Sequence, residues 1–550
     1  MSAYKDDRLD LDYLLQQDLI ADFIPRTGRD TWQVVYAVED KPSDRFAVFS
    51  ALLEPRFVKK ALKEDGWDLR VGNGFPGFSQ SWRKGKGMTT YHRFGTEGIR
   101  PLVIYRDFHG VWPSYIELCE EFRHFHNLAE DHKNQRLLDF DESGYEVEVA
   151  KIGERRVEIN FVYLRRFLSA TRLHLAIYFE SVRYSRINFD DVPKNQRLLE
   201  YRDTASRYSL RVAKCDFHRD FHTFSRLLGK MIIFPPPIEE CGKWPFDEKR
   251  VEPEVSFVIG VNPDGTPVEN TSNPDQLAND FGANPGAPSY LTPVYFRREV
   301  LQKYYAEPER YSVEDGYLRC LGLWGIQIDN SHTTHVIAFL GDLGRDLPYR
   351  ERLHWKTYNV PPPRDAGISE TFFRRSFLAQ FAEPSSVDLI FRNEYQELNN
   401  AWQDKFGWLL FLDPADDDKH ILTVHIPTTE SQRELDEQIL WLAKLLVDSL
   451  NEAELVKGLL KVENEKGIGK FERFLESKQC PHTKEIVQFL RDVQRLRSTS
   501  AAHRKSQDYQ RTMDRLGLTG KRTPDVMRAL LEQVVAVLQM LHRFLDEIER

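Results

Sequence analysis

Five groups of residues in this chain have types and spacings that suggest chemistry. Cys215, His218, His222 and Cys241 form C-x2-H-x3-H with a distant fourth ligand. On a helix the two histidines, at i and i+4, would share a face and hold zinc. Structural zinc sites more often present tightly spaced pairs on both sides, and Cys241 stands alone, so ordinary aromatic-rich packing is the expectation. His332, His335, Asp342 and His354 suggest a second metal centre. An extended course through Thr333, Thr334 and Val336 would send the first two imidazoles to opposite faces, defeating a shared ion unless a turn intervenes. Asp413, Asp416, Asp417 and Asp418 follow the apolar run GWLLFLDP and resemble a solvated turn. A working carboxylate pair would need pocket walls to shift one pKa. Gly72 to Gly77 matches GxGxxG literally. That motif must open a helix at a pyrophosphate, and Pro76 followed by FSQSWRKGKG predicts a turn-rich loop instead. Last, Arg497, Ser498 and His503 read R-S-x4-H at the end of an amphipathic helix. There is no GxxxxGK[ST], HExxH or GxSxG.

The elements that must position these groups change character along the chain. Before residue 235, strand-like and helix-like patterns alternate. Tyr145, Val147 and Val149 alternate with glutamates, Gly153-Glu154 offers a turn, and Val157, Ile159 and Phe161 return. This predicts an antiparallel hairpin with one wet face. A further strand places Leu173, Leu175, Ile177 and Phe179 on one side. Arg172, His174, Tyr178 and Glu180 lie on the other, expected to be solvated. Residues 262–289, dense in Asn, Pro, Gly, Asp and Ser, predict a long loop, and Val336 to Leu340 a short buried strand.

From about residue 428 the pattern is helical. Ser431 with Glu434 spells a capping box, and Leu435, Ile439, Leu442 and Leu446 follow at helical spacing. Ile486, Phe489, Leu490, Val493 and Leu496 form a second stripe. Thr523 is a good N-cap with Pro524 at the first helical position. Val526, Leu530, Val534, Val537, Leu541, Leu545 and Ile548 run down a long last helix. These helices predict a small bundle. The expected architecture is multidomain α+β: a mixed α/β region 1–235, a β-rich central region 236–427 and an all-α region 428–550.

Composition bounds the partners. At 550 residues, two to four domains are expected. A hydrophobic content of 41% and a charged content of 29% are ordinary for a globular protein. A net charge of −9 argues against a protein that coats nucleic acid through bulk positive charge. The charge is unevenly placed, however. Residues 491–530 hold ten Lys+Arg and four Asp+Glu, an island of +6, and the remainder carries −15. Five widely spaced cysteines spell no disulfide framework, which fits a reducing cytoplasm. The N-terminus has early acids and no apolar core of signal-peptide length. No run approaches the roughly 18 apolar residues of a membrane span. A soluble, cytoplasmic protein is expected.

An Arg, a polar residue and then a His, at R-x4-6-H spacing within a small helical bundle, resembles the HEPN superfamily of nucleotide- and RNA-acting domains. The resemblance covers about residues 428–550. It implies a metal-independent endoribonuclease, without cofactors, whose two motif copies meet across a homodimer interface. Arg497 would grip the scissile phosphate, and His503 would be the general acid or base. Ser498, where members often carry Asn or Asp, would hydrogen-bond. Arg495, Arg504, Lys505 and Arg511 would contact RNA, with Arg504 and Lys505 favouring neutral His503. On one straight helix, residues 497 and 503 project about 120° apart. A bulge, a helix end near Ser500 or catalysis across a dimer must therefore reconcile them. By architecture alone, the preceding residues resemble the sensing portion of bacterial toxin and phage-defence proteins, answering a phage or cellular trigger while the last part cuts RNA, tRNA among the candidates. The alternatives are a binding or scaffold protein whose bundle only dimerises, and a metal-dependent hydrolase in the central region, which requires His332, His335 and His354 to converge.

Overall fold

The computed structural model describes residues 10–65, 76–83, 85–95, 98–246, 252–279, 281–363, 367–378, 386–412, 420–460, 462, 465–500 and 507–548. The chain forms two compact units, Met1–Asp141 with Tyr145–Arg250, and Glu142–Gly144 with Val251–Arg550.

The first unit is built on an eleven-stranded sheet. An interior strand, His174–Ser185, pairs antiparallel with Thr223–Ile233 on one side and Asp44–Leu53 on the other. The hairpin of Glu146–Ile152 and Arg156–Asn160 forms as expected, with Ala150 opposite Ile159. Phe161 does not continue the strand. It opens the helix Phe161–Thr171, because the Asn160 side chain accepts the Val162 amide and caps it.

The strand His174–Ser185 corrects the expectation of a wet face. Leu175, Ile177 and Phe179 enter the main core with Leu164, Phe167 and Leu168 of that helix. On the other side Ala176 and Tyr178 are buried too, in a second core with Leu53, Ala61, Leu62 and Ile99. The helix Pro55–Ala61 belongs to this cover. Alternation along a strand assigns side chains to two faces but carries no information about what lies on each.

In the second unit, small antiparallel sheets surround a core containing Phe257, Phe296, Tyr304 and Trp355. The expected strand near Val336 is His335–Phe339, paired with Pro293–Arg297. Residues 262–289 are not all loop, since Pro267–Thr271 is a strand paired with Ser256–Val261. From residue 370 to 547 the named elements among the described residues are all helices. The principal helices are α1 (Val387–Phe406), α2 (Gln432–Ala443), α3 (Gly467–Ser477), α4 (Thr483–Ser500), α5 (Gln507–Arg515) and α6 (Thr523–Glu547). Their core gathers Trp402 of α1, Ile439 of α2, Phe471 of α3, and the apolar stripes of α4 and α6. Each expected stripe residue of α2, α4 and α6 is buried except Ile548, which lies past the end of α6 and is exposed.

Two caps differ in detail. Ser431 precedes α2, but its amide donates to Thr429 Oγ1, so the capping box does not close. Glu434 instead accepts the Thr428 and Thr429 amides at 2.6 and 3.0 Å, holding the turn ahead of the helix. Thr523 is the first residue of α6 rather than its cap, and its hydroxyl donates to Glu430 O. No helix among the described residues is long and apolar enough to cross a membrane.

Candidate functional site

Helix α4 is amphipathic, and its apolar stripe fixes which residues face out. With Ile486, Phe489, Leu490, Val493 and Leu496 buried, Arg491, Arg495 and Arg497 fall on its flanks. One acid, Asp492, is buried beside the stripe. Its carboxylate accepts Gln488 Nε2 at 3.2 Å, Arg495 Nη1 at 3.3 Å, and the guanidinium of Arg515 from α5. The Asp492–Arg515 ion pair joins α4 to α5.

Arg497 lies in the last turn of α4. Its guanidinium pairs with Asp448, the last residue of a π-helical turn, Lys444–Asp448, that continues α2. Ser498 is exposed and its hydroxyl donates to Arg495 O at 3.0 Å, so it is occupied within its own helix. Arg511 projects into solvent on α5 and pairs only loosely with Asp508, at 3.6 Å. His503, Arg504 and Lys505 lie outside the described residues.

The basic island is less bare than its sequence count. Arg491 pairs with Glu472 at 2.6 Å, Arg522 with Asp525 at 2.9 Å and Arg528 with Asp525 at 3.6 Å. Every described arginine of residues 491–530 thus has a carboxylate within ion-pair reach. Asp448 and Glu472 come from outside the island, so counting along the chain misses them. Asp448 and Asp492 are the two residues of this site that sequence reasoning overlooked. The second was findable, because Gln488, Asp492 and Arg495 stand at the i−4 and i+3 spacings of helical neighbours. Nothing local marks the first.

Residues 215–222 are not helical. They connect the strands Ser206–Lys214 and Thr223–Ile233, with His218 against the Phe221 and Tyr184 rings. Cys241 is buried near Lys243 O. The Asp413 to Asp418 cluster and Gly72 to Phe75 lie outside the described residues, and Gly77 begins a β-strand. His332 and His335 do not point apart. A bend at residues 332–334 stacks their rings at 4.3 Å and 19°, with His332 Nε2 3.4 Å from the buried Asp329.

The turn that would bring these two imidazoles together is therefore present. Burial pushes the His335 pKa down, and the neighbouring His332 lowers it further. Burial would raise Asp329, but hydrogen bonds from His332 and the Ser369 amide outweigh it and hold the carboxyl low. His354 instead bonds Val300 O at 3.0 Å, and Asp342 accepts from Tyr290 and Arg345, both at 2.9 Å. Among the described residues, no three His, Cys, Asp or Glu side chains are placed to hold a metal.

No protein-family model, curated protein or solved structure matches this chain.

Proposed function

We propose that the helical region is a metal-independent endoribonuclease of HEPN type, acting as a homodimer on cellular RNA, with tRNA among the candidate substrates. The observation that carries the reading is the position of Arg497. It stands in the last described turn of α4, and the Asp492–Arg515 pair holds α5 to that helix. The last described residue of α4, Ser500, falls between the Arg and the His of the motif.

In the proposed reaction His503 withdraws the proton of a ribose 2′-OH. The 2′-oxygen attacks the adjacent phosphorus, the bond to the 5′-oxygen breaks, and that oxygen takes up a proton. The products are a 2′,3′-cyclic phosphate and a 5′-hydroxyl. Arg497 neutralises the charge that builds on the phosphoryl oxygens, and exchanges its Asp448 carboxylate for the phosphate to do so. Arg495, Arg504, Lys505 and Arg511 hold the flanking backbone, and the Ser498 hydroxyl joins them on leaving Arg495 O. In this reading the first unit senses a phage or cellular trigger and the protein works in the cytoplasm.

The test is incubation of the full chain with RNA in EDTA, with product ends analysed by mass spectrometry. Cyclic phosphate ends are expected, together with their loss in Arg497→Ala and His503→Ala. Cleavage that survives both substitutions, or that leaves 3′-hydroxyl ends, sinks the proposal. The pairing of each described arginine with a carboxylate favours a second reading, a scaffold protein whose bundle only dimerises. RNA left intact by a dimeric chain would establish that one.

A further inference from the structure

Residues 76–94 of the first unit contain no Asp or Glu, yet include Arg83, Lys84, Lys86 and Arg93 in a chain of net charge −9. They form a two-stranded ribbon, Gly77–Arg83 against Lys86–His92, that joins no other strand among the described residues. Alternation and register put Phe78, Gln80 and Trp82 on one face, opposite Tyr91, Thr89 and Gly87. Phe78, Trp82 and Tyr91 are 77%, 69% and 54% exposed. An isolated ribbon gains little stability of its own, so three bare aromatic rings on one face are not explained by folding.

The rings make two separate platforms. Phe78 and Tyr91 pair across the strands, with centroids 5.1 Å apart. Trp82 lies over Gly87 so closely that an added Cβ there would meet the indole at 3.3 Å. Four residues of strand set the platforms about 14 Å apart. At the open tip Arg83 and Lys86 stand directly opposite each other, a like-charge pairing that costs stability. Neither has a carboxylate partner among the described residues.

We propose that this ribbon is a binding site for single-stranded nucleic acid. Unpaired bases stack on Trp82 and on the Phe78–Tyr91 pair, and phosphates passing the tip relieve the repulsion between Arg83 and Lys86. Stacking is indifferent to base identity but needs unpaired bases, which excludes a duplex. Gln80 and Thr89 separate the two platforms on the aromatic face, unlike a groove for an aliphatic partner. Neither ribbon edge pairs with another strand among the described residues, and hydrocarbon does not tolerate open strand edges. The neighbouring hairpin Val103–Arg106/Tyr115–Leu118 is an internal contrast. It also exposes Tyr105, Trp112 and Tyr115, but its Arg106 is paired with Glu117 at 2.8 Å.

The site lies outside the helical region and stands without the nuclease reading. The experiment is fluorescence anisotropy of the full chain with a labelled single-stranded 2′-deoxy oligonucleotide, which 2′-OH attack does not cut. The same strand as a duplex and anionic phosphatidylglycerol vesicles are the competitors. Trp82→Ala and Phe78→Ala should each weaken binding about fivefold to a hundredfold, and Trp112→Ala should leave it unchanged. Arg83→Ala should lower the logarithmic salt slope by about 0.7. Unchanged affinity in both aromatic variants, equal affinity for the duplex, or displacement by vesicles overturns the proposal. Because these side chains are exposed, unchanged circular dichroism should accompany the loss. Binding without RNA cleavage would sink the nuclease and leave the ribbon; cleavage without ribbon-dependent binding would do the reverse.

Discussion

The ribbon at 76–94 and the island at 491–530 are both rich in cations, and they use them in opposite ways. In the island each described arginine meets a carboxylate, and Asp492 holds Arg495 of its own helix and ties α4 to α5 through Arg515. In the ribbon Arg83 and Lys86 face each other without one among the described residues. Charge committed to an internal partner holds the fold, while charge left without one is available to a ligand. Local net charge does not distinguish the two conditions; through-space pairing does.

The largest expected effect concerns the island's one catalytic claim. His503→Ala should lower RNA cleavage by about two to four orders of magnitude, while ribbon variants alter affinity. A ribbon variant with a comparable fall in single-turnover rate at saturating RNA would erase the distinction. Second comes acid stability, where Glu434 shows what a committed carboxylate contributes. Burial would raise its pKa, but hydrogen bonds from His425, Thr429 and Thr428 bring it down to about 2.

A depressed folded pKa means the stabilisation is present above the ordinary value of 4.5 and is lost as pH falls through 2. Glu434→Gln should therefore flatten the pH dependence of urea unfolding in that window by on the order of 3 kcal/mol. An unaltered slope would show that Glu434 is not held in this way. Third, Asp492→Ala should cost about 2 kcal/mol in the same unfolding measurement, since hydrogen bonds to a charged group are lost. Stability equal to that of the native chain would mean the island's pairs are incidental. The smallest effect belongs to Arg511→Ala. Its exposed, long pair with Asp508 predicts a change in stability below about 0.5 kcal/mol.

Much of the helical region was legible because its signals are local. The stripes of α2, α4 and α6 repeat at helical spacing, and burial follows them residue by residue until Ile548. Cap chemistry was legible in place but not in partner. Ser431 and Thr523 sit at helix starts, yet Glu434 bonds to Thr428 and Thr429, and Thr523 to Glu430. The strand His174–Ser185 was assigned to two faces correctly, while the cover over Tyr178 came from residues distant in sequence. β-Branched Thr333, Thr334 and Val336 favour an extended chain, on which His332 and His335 diverge. The bend between them overrides that propensity.

By itself, then, the sequence determined the periodic elements, the α+β class and the uneven distribution of charge. All of these depend on residues within a few positions of one another. Tertiary structure alone decided that Arg497 meets Asp448, that Tyr178 is buried, that two imidazoles stack, and that the ribbon's aromatics remain uncovered. Each of those outcomes depends on which distant segment arrives opposite a side chain, and local periodicity carries no term for that.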